Sequence, residues 1–225
     1  DAIDKYHYLS LTGNELPKNN DYEINITLDK ENKTITISDN GIGMTKEELI
    51  NSLGTIAKSG SLEFMEKIKE NKDQNQNIDI IGQFGVGFYS AFMVANLIEV
   101  KTRSLLTDKG YLFKSTGEDT FEIEEIEKDS TGTDIILHLR NNDSEYEYDQ
   151  FLDEWKIRSL VKQYSDYVRY PINMKTSKSV LKDGSKDEYE EVIEDETLNS
   201  MTPIWKKNKN ELEQSDYNEF YKQKY

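Results

Sequence analysis

The feature that most constrains this chain is residues 38–44 (SDNGIGM), which follow an alternating, strand-like run and precede a helix-like segment. An acid beside two glycines at such a junction is typical of backbone that a ligand approaches closely, because glycine has no Cβ and tolerates positive φ. The carboxylate of Asp39 can accept a hydrogen bond from an amino group such as N6 of adenine. The alternative interpretation is a turn that uses Asp-Asn-Gly for its own geometry.

A second glycine cluster lies in residues 80–89 (IIGQFGVGFY), between an apolar run and a short segment rich in aromatic residues. Backbone N–H groups of such a loop can bind phosphate, particularly where a helix follows. The spacing G-x-x-G-x-G differs from both the Rossmann and the Walker A patterns. Because residues 54–60 (GTIAKSG) lie between the two clusters, the sequence predicts a nucleotide site rather than isolated turns.

The order of the predicted elements indicates an α+β fold. Residues 22–28 and 34–37 alternate on either side of a short connection, which predicts an antiparallel hairpin and argues against a Rossmann start. Thr45 and Glu48 predict a capping box for a helix that ends at Gly54. The other predicted elements are an apolar helix at 88–95, strands at 97–102, 111–115, 120–126 and 133–139, an amphipathic helix over 149–168, and a strand from 172. We therefore expect a two-layer sandwich of mostly antiparallel sheet and helices.

The chain divides into three predicted parts. Residues 1–176 form the ligand-binding domain, 177–200 a charged linker or hairpin, and 201–225 the start of a further domain. Residues 54–85 have a polar centre and glycine at both ends, which favours a lid over a ligand, with an ordinary surface excursion as the alternative. The chain begins inside a predicted helix, so we expect the domain to be truncated at its N-terminus.

Composition excludes several classes of function. With a net charge of −16 over 225 residues, the chain lacks the basic excess that nucleic-acid binding needs. It contains no cysteine, and no apolar run reaches the roughly 20 residues of a membrane span. A cytoplasmic protein with neither nucleic-acid nor membrane partners is expected. The two histidines, His7 and His138, argue against a histidine metal centre, and His138 is interpreted as structural.

Taken together, these motifs resemble the N-terminal ATPase domain of the ninety-kilodalton heat-shock chaperone family, and most of all its bacterial members. The resemblance rests on residues 39–44, 53–60 and 81–90, with support from Gly132-Thr133 and from residues 203–205, which are similar to the start of the family's middle domain. It covers nearly the whole chain. It implies the Bergerat-type ATP-binding fold that the family shares with gyrase-type and histidine-kinase ATPases.

The resemblance also implies roles for individual residues around adenine. Asp39 would hold the adenine amino group, Gly43 and Met44 would pack against the base, and Thr133 would contact adenine through water. Asp1 and Ala2 match positions just beyond the end of the family's catalytic helix.

At the phosphate end, the resemblance implies contacts from Lys58 and from a loop that contains Gly82, Gln83, Gly85, Val86, Gly87 and Phe88. Lys58 has an alternative interpretation as a solvated lid charge, and Phe88 as a core aromatic whose N–H faces phosphate. Trp155 and Trp205 are interpreted as packing residues. One departure is Ser52, which stands where many relatives carry an asparagine near the ribose and phosphates.

The family's general-base glutamate and magnesium-binding asparagine match positions upstream of Asp1. The sequence therefore assigns neither a catalytic residue nor a metal ligand within this chain. The implied ligands are ATP or ADP, with Mg²⁺ held by a residue upstream. We expect these 225 residues alone to bind nucleotide weakly at most and not to hydrolyse ATP.

By this resemblance the chain is the ATP-binding domain of a molecular chaperone. The intact protein would be an ATPase. Its ATP hydrolysis would drive lid closure and formation of a homodimer, and its partners would be client proteins. Three alternatives stay open: a related ATPase of the mismatch-repair or topoisomerase type, a nucleotide sensor that does not hydrolyse, and a purely structural interaction module.

Overall fold

The structure is a computed structural model. It describes residues 1–12, 21–54, 82, 86–118, 120–181, 189–206, 210 and 212–224.

An open sheet of eight strands forms the frame of the molecule, in the spatial order β5-β4-β3-β6-β2-β1-β7-β8. The strands are β1 (Ile24–Asp29), β2 (Thr34–Asp39), β3 (Ala95–Arg103), β4 (Gly110–Ser115), β5 (Phe121–Ile126), β6 (Gly132–Leu139), β7 (Ile172–Leu181) and β8 (Tyr189–Thr197). Neighbouring strands run antiparallel, except that β7 is parallel to β1. The predicted hairpin of β1 and β2 is confirmed.

Four α-helices and three short 3₁₀ segments accompany the sheet in the part of the chain that the structure describes. The α-helices are α1 (Ala2–Thr12), α2 (Lys46–Leu53), α3 (Glu154–Tyr164) and α4 (Gln214–Lys224), and the 3₁₀ segments are Phe88–Met93, Tyr148–Leu152 and Ile204–Lys206. This mixture of a mostly antiparallel sheet with helices confirms the predicted α+β class.

The core lies against one face of the sheet, as the alternation in β3 makes plain. Ile98, Val100 and Thr102 on that strand are completely buried, whereas the residues between them are partly exposed. Side chains two positions apart on a strand share one face, so these three point into the core. Leu49 of α2 and Ile157 of α3 belong to the same buried cluster, and both helices therefore pack on this face.

Helix α2 begins as its sequence predicts. Thr45 is its N-cap: its side chain accepts a hydrogen bond from the Glu48 N–H, and the Glu48 carboxylate accepts one from the Thr45 N–H at 2.9 Å. Each of these bonds satisfies a backbone donor that a helix start otherwise leaves unpaired. The helix ends at its C-cap, Gly54, so the position of α2 directly after residues 38–44 is fixed by local sequence.

The amphipathic helix predicted over residues 149–168 is wrong in its extent. The backbone forms a 3₁₀ segment up to Leu152, and α3 begins anew after Asp153, whose carboxylate accepts a hydrogen bond from the Lys156 N–H at 2.9 Å. An aspartate at that position competes with a continuous helix by capping a new one.

The pattern also predicts a core face for this helix made of Phe151, Leu152, Trp155, Leu160, Val161 and Tyr164, and this prediction is partly wrong. Trp155 and Tyr164 are each 74% exposed, and the Trp155 ring instead lies under the Arg158 guanidinium at 4.5 Å. Ile157 and Val161 form the buried face. Trp205 is 65% exposed but makes edge contacts with Tyr167 and Phe220.

The charged stretch after residue 176 contains most of a strand pair. Strands β7 and β8 pair from Asn173↔Thr197 to Leu181↔Tyr189 and extend the sheet beyond β1. Arg158 on α3 binds the Glu196 carboxylate of β8 through two nitrogen–oxygen contacts of 3.1 and 2.6 Å. The pair is thus joined to the domain's own helix, although the domain boundaries themselves stay a prediction.

The start of β7 is held by the buried side chain of Asn199. Its Oδ1 accepts a hydrogen bond from the Ile172 N–H at 2.8 Å, and its Nδ2 donates to the carbonyls of Val168 and Tyr170 at 2.9 and 3.0 Å. One amide therefore satisfies three backbone groups where the chain turns from α3 into the sheet.

We expect Asn199→Ala to lower the free energy of unfolding by about 3 kcal/mol or more, because it leaves buried backbone groups without partners. Urea denaturation followed by circular dichroism would measure the change. Asn96→Ala is the matched control, since Asn96 is an exposed strand residue, and it should change stability by less than about 0.5 kcal/mol. Equal losses for both variants would contradict this account of Asn199.

Candidate functional site

Three polar side chains form one row on the core face, at the ends of β2 and β3 and the start of β6. Thr102 on β3 lies opposite Thr133 on β6, and Thr133 lies opposite Asp39 on β2. Directly opposed residues on neighbouring strands project to the same side of a sheet, with Cβ atoms about 4.5–5.5 Å apart. The pairing register therefore brings together two residues that the sequence singles out, Asp39 and Thr133, and adds a third.

Thr102 also connects this row to the glycine-containing segment. Its hydroxyl oxygen, completely buried, accepts a hydrogen bond from the Met44 backbone N–H at 2.9 Å. Met44 itself packs at the edge of the core. The backbone around Gly43 and Met44 is thus fixed next to the row.

Gly43 allows this loop to lie against the end of β3. Its φ is +67°, and a Cβ added there would lie 1.9 Å from the carbonyl oxygen of Arg103. The same loop is also held by a backbone hydrogen bond from the Leu105 N–H to the Ile42 carbonyl at 2.8 Å. The glycine is required by close approach of backbone to backbone within the protein, whatever ligand binds nearby.

The start of α1 closes the other side of the loop. The Ile42 N–H donates to the Ala2 carbonyl at 3.3 Å, and a Cβ on Gly41 would lie 2.8 Å from the Ala2 carbonyl carbon. Ala2, Asp39, Gly43, Met44 and Thr133 thus form one cluster. Whether this cluster binds a nucleotide stays a prediction.

Asp39 is the one carboxylate in this cluster, and it is partly buried. Its Oδ1 accepts the Gly41 N–H at 2.8 Å, whereas its Oδ2 has no hydrogen bond among the described residues. Burial raises the pKa of the Asp39 carboxyl above its ordinary value, and the Gly41 N–H only partly opposes this. A carboxylate with an unpaired oxygen in a desolvated position is suited to accept a hydrogen bond from a ligand.

A cavity of about 580 Å³ opens beside Asp39. Its walls include Ala2, Ile24, Tyr170 and Trp205, but not Gly43, Met44 or Thr133. The cavity therefore touches the predicted adenine cluster at one edge only and does not by itself outline a nucleotide site.

The second glycine cluster is described only in part. The Gly82 N–H donates to the Asp1 carboxylate at 2.6 Å, so this backbone donor already contacts an anionic oxygen close to α1. Gly87 has φ −59°, and a Cβ added to it would meet no other described residue within 4 Å. Packing against the described part of the chain thus gives no reason for glycine at position 87.

The residues after Gly87 differ from the predicted apolar helix. Phe88–Met93 is a six-residue 3₁₀ segment, and Ala95 already belongs to β3. Phe88 packs edge-on against Phe113 with ring centroids 6.1 Å apart, in agreement with its interpretation as a core aromatic. Val86, just before, is 52% exposed. Because 3₁₀ segments are short and their hydrogen bonds poorly aligned, we expect the loop's own N–H groups to dominate any anion binding here.

Several predicted features lie outside the described residues, namely Lys58, Gln83, Gly85 and most of the lid over 54–85. Ser52 is described and lies partly buried in the last turn of α2. The described residues contain no group of three or more acidic or histidine side chains that could hold a metal ion. None of the described helices is long and apolar enough to cross a membrane.

Sequence reasoning missed Thr102 and Arg103. A threonine at the end of an alternating strand carries no local sign of function, because its role depends on which strand pairs with β3. Nothing in the local sequence indicates that the carbonyl group of Arg103 lies next to Gly43. Only the glycine at position 43 indicated that some backbone had to pass close by.

We expect Gly43→Ala to lower the free energy of unfolding by at least about 2 kcal/mol, because it combines positive φ with a backbone clash. Gly87→Ala is the matched control and should change stability by less than about 1 kcal/mol, since its φ and surroundings accept a methyl group. Thermal unfolding of both variants would test this. Equal stability of the Gly43→Ala variant and the parent would contradict the close approach to Arg103.

We expect Asp39→Asn to stabilise the fold at neutral pH. The folded state binds the Asp39 proton more tightly than the unfolded chain, so the charged form is disfavoured by folding. The amide avoids this, with a gain of about 1.4 kcal/mol for each tenfold difference in proton affinity. The gain should be present above the folded-state pKa and vanish below the ordinary carboxyl pKa.

Unfolding free energies of this variant and its parent, measured across an acid-to-neutral pH series, would show the effect. Glu191→Gln on exposed β8 is the control and should show a much smaller change. An Asp39→Asn variant that is less stable than its parent at neutral pH would contradict the conclusion that folding disfavours the charged Asp39 carboxylate.

Comparison with known proteins identifies the group to which this site belongs. The sequence model of the histidine kinase-, DNA gyrase B- and HSP90-like ATPases matches residues 18–147. This range includes Asp39, both glycine clusters and Thr133.

Curated relatives match over the whole chain. The chain is 54% identical over 225 residues to the chaperone protein HtpG of Halalkalibacterium halodurans and 55% identical to that of Clostridium perfringens. It is 52% identical over 226 residues to HtpG of Bacillus subtilis. All of the chain is covered in each comparison but only 35 or 36% of the relative, so the chain spans about a third of their length. The chain is a member of the histidine kinase-, DNA gyrase B- and HSP90-like ATPase family.

Proposed function

We propose that this chain is the ATP-binding domain of a molecular chaperone of the HtpG type. The observation that carries the proposal is Asp39, a partly buried carboxylate with one fixed and one unpaired oxygen, placed beside Thr133 and a rigid Gly43–Met44 backbone. An amino group such as N6 of adenine would supply the missing hydrogen bond and offset the cost of burying the charge.

The phosphates would extend toward the second glycine loop. Two features support this direction: the Gly82 N–H donates to a carboxylate oxygen, and none of the described residues fills the space beside Gly87. Gln83, Gly85, Val86 and the N–H of Phe88 belong to the same proposed cradle. Lys58 would add a positive charge from the lid, and Ser52 would lie near the ribose and phosphates.

Hydrolysis and metal binding belong to the whole protein in this proposal. Mg²⁺ would neutralise phosphate charge, and its ligand and the general base would lie upstream of Asp1. Residues 54–85 would act as a lid whose closure accompanies ATP binding. The whole protein would be a cytoplasmic homodimer that uses ATP hydrolysis to act on client proteins.

The alternatives from the sequence are weaker. Relatives named HtpG match the chain over its entire length at 52–55% identity, which favours a chaperone over a mismatch-repair or topoisomerase ATPase. The net charge of −16 also disfavours a DNA-bound enzyme. A sensor that binds without hydrolysing shares every feature described here, and steady-state ATPase measurements on the whole protein would separate it from an ATPase.

Calorimetric titration of the natural protein containing this chain with ADP tests the proposal. Asp39→Asn should weaken ADP binding roughly ten- to a hundred-fold, because a hydrogen bond to a charged group is worth about 1.5–3 kcal/mol. Gly87→Ala should weaken ADP binding about ten-fold, because the added methyl group holds the phosphates away from the loop. The stability of this variant should be nearly unchanged. Asn96→Ala, an exposed control, should bind as the parent does.

Unchanged ADP affinity in the Asp39→Asn variant would overturn the adenine assignment. Unchanged affinity in the Gly87→Ala variant would overturn only the placement of the phosphates, because the proposal assigns adenine to Asp39 and not to Gly87.

A further inference from the structure

The hydroxyl group of Thr102 lies at the junction of three contacts. Its oxygen is 2.9 Å from the Met44 nitrogen, 3.2 Å from the Gly132 carbonyl oxygen and 3.0 Å from the Thr133 hydroxyl oxygen. The side chain is completely buried, so none of these contacts competes with bulk water. A buried polar group with three protein partners has a fixed geometry.

The number of hydroxyl hydrogens available fixes the direction of these hydrogen bonds. A hydroxyl group has one hydrogen to donate and two lone pairs to accept with. The Met44 N–H occupies one lone pair, and the Gly132 carbonyl can only accept, so it takes the Thr102 hydrogen. The third contact is satisfied when Thr133 donates its own hydrogen to the second lone pair of Thr102.

This direction determines what Thr133 offers to a ligand. With its hydrogen directed toward Thr102, the Thr133 hydroxyl presents only lone pairs to its other side. Asp39, its in-register neighbour on β2, accepts the Gly41 N–H through Oδ1 and, when ionised, has no hydrogen to donate. Among the described residues no hydrogen bond joins Thr133 to Asp39, so neither acceptor is used by the other.

We propose that Thr102 is a positioning residue that holds Thr133 as a hydrogen-bond acceptor and thereby makes the Thr133–Asp39 wall select a 6-amino purine over a 6-oxo purine. The proposal rests on the proposed nucleotide-binding function and names the group that sets its base preference. A 6-amino group donates to such a wall, directly or through water, whereas a 6-oxo group meets only acceptors. A site with fixed polar groups rejects the ligand that leaves them unpaired.

The test compares ADP with inosine diphosphate, which carries a 6-oxo group, by calorimetric titration of the natural protein containing this chain. Thr102→Val keeps the side-chain shape but removes the hydroxyl, so that the Thr133 hydrogen is released and can rotate. We expect ADP affinity to fall about five- to fifty-fold and the ratio of ADP to inosine diphosphate affinity to fall at least about five-fold. Thr102→Ser, which retains the hydroxyl, should keep that ratio within about two-fold of the parent.

Thr176→Val is the matched control. Thr176 is also buried on the sheet, and its hydroxyl donates to Glu196 at 3.1 Å. It lies on β7, which β1 separates from the strands of the row. This variant should lose stability without changing the preference between the two nucleotides. A change of preference in Thr102→Val but not in Thr176→Val supports the proposal.

Two outcomes overturn it while leaving the proposed function intact. One is unchanged ADP affinity in Thr102→Val, and the other is an equal loss for both nucleotides, which is the result expected of a residue that only supports the fold. If Thr102→Val does not fold, Thr133→Val removes the same acceptor, and an unchanged nucleotide preference in that variant overturns the proposal. Failure of the parent protein to bind ADP would instead refute the proposed function, and this inference with it.

Discussion

The candidate site depends on the pairing register of three central strands. Thr102, Thr133 and Asp39 come from β3, β6 and β2, and they meet because each lies directly opposite the next. A slip of one residue would turn a strand's side chains to the opposite face and remove its member of the row from the others. The apolar residues of the same strands hold that register. Ile98, Val100 and Leu137 are buried on the core face, and a slip would turn them away from it. The packing of the core thus determines the geometry of the site.

Two glycines with positive φ, Gly43 and Gly132, lie next to this row where backbone segments pass close to each other. Gly43 passes next to the Arg103 carbonyl, and Gly132 has φ +114° with its would-be Cβ 2.1 Å from the Asp39 carbonyl oxygen. Neither position can carry a side chain without displacing main chain. The two glycines therefore serve the protein's own packing, and their presence near the candidate site follows from the tight strand ends on which that site is built.

Sequence reasoning recovered what is local and missed what depends on pairing. The Thr45–Glu48 capping box and the β1–β2 hairpin follow from patterns within a few residues, and the structure contains both. The continuous helix over 149–168 was wrong because a single cap at Asp153 outweighs periodicity. Thr102 was missed because its role exists only in the register with β6. The contact of Lys58 with phosphate stays a prediction.

The strand order has a consequence for how the chain folds during synthesis. The β1–β2 hairpin is local and can form as soon as residue 39 has emerged, yet both of its edges stay unpaired until distant segments arrive. β2 receives its outer neighbour only when β6 (Gly132–Leu139) is made, and β1 only when β7 pairs Ile24 with Ile172. Long-range pairing is slow, and unpaired strand edges invite association with other chains. A nascent chain of this protein therefore passes through a stage in which the strand that carries Asp39 is itself an exposed edge.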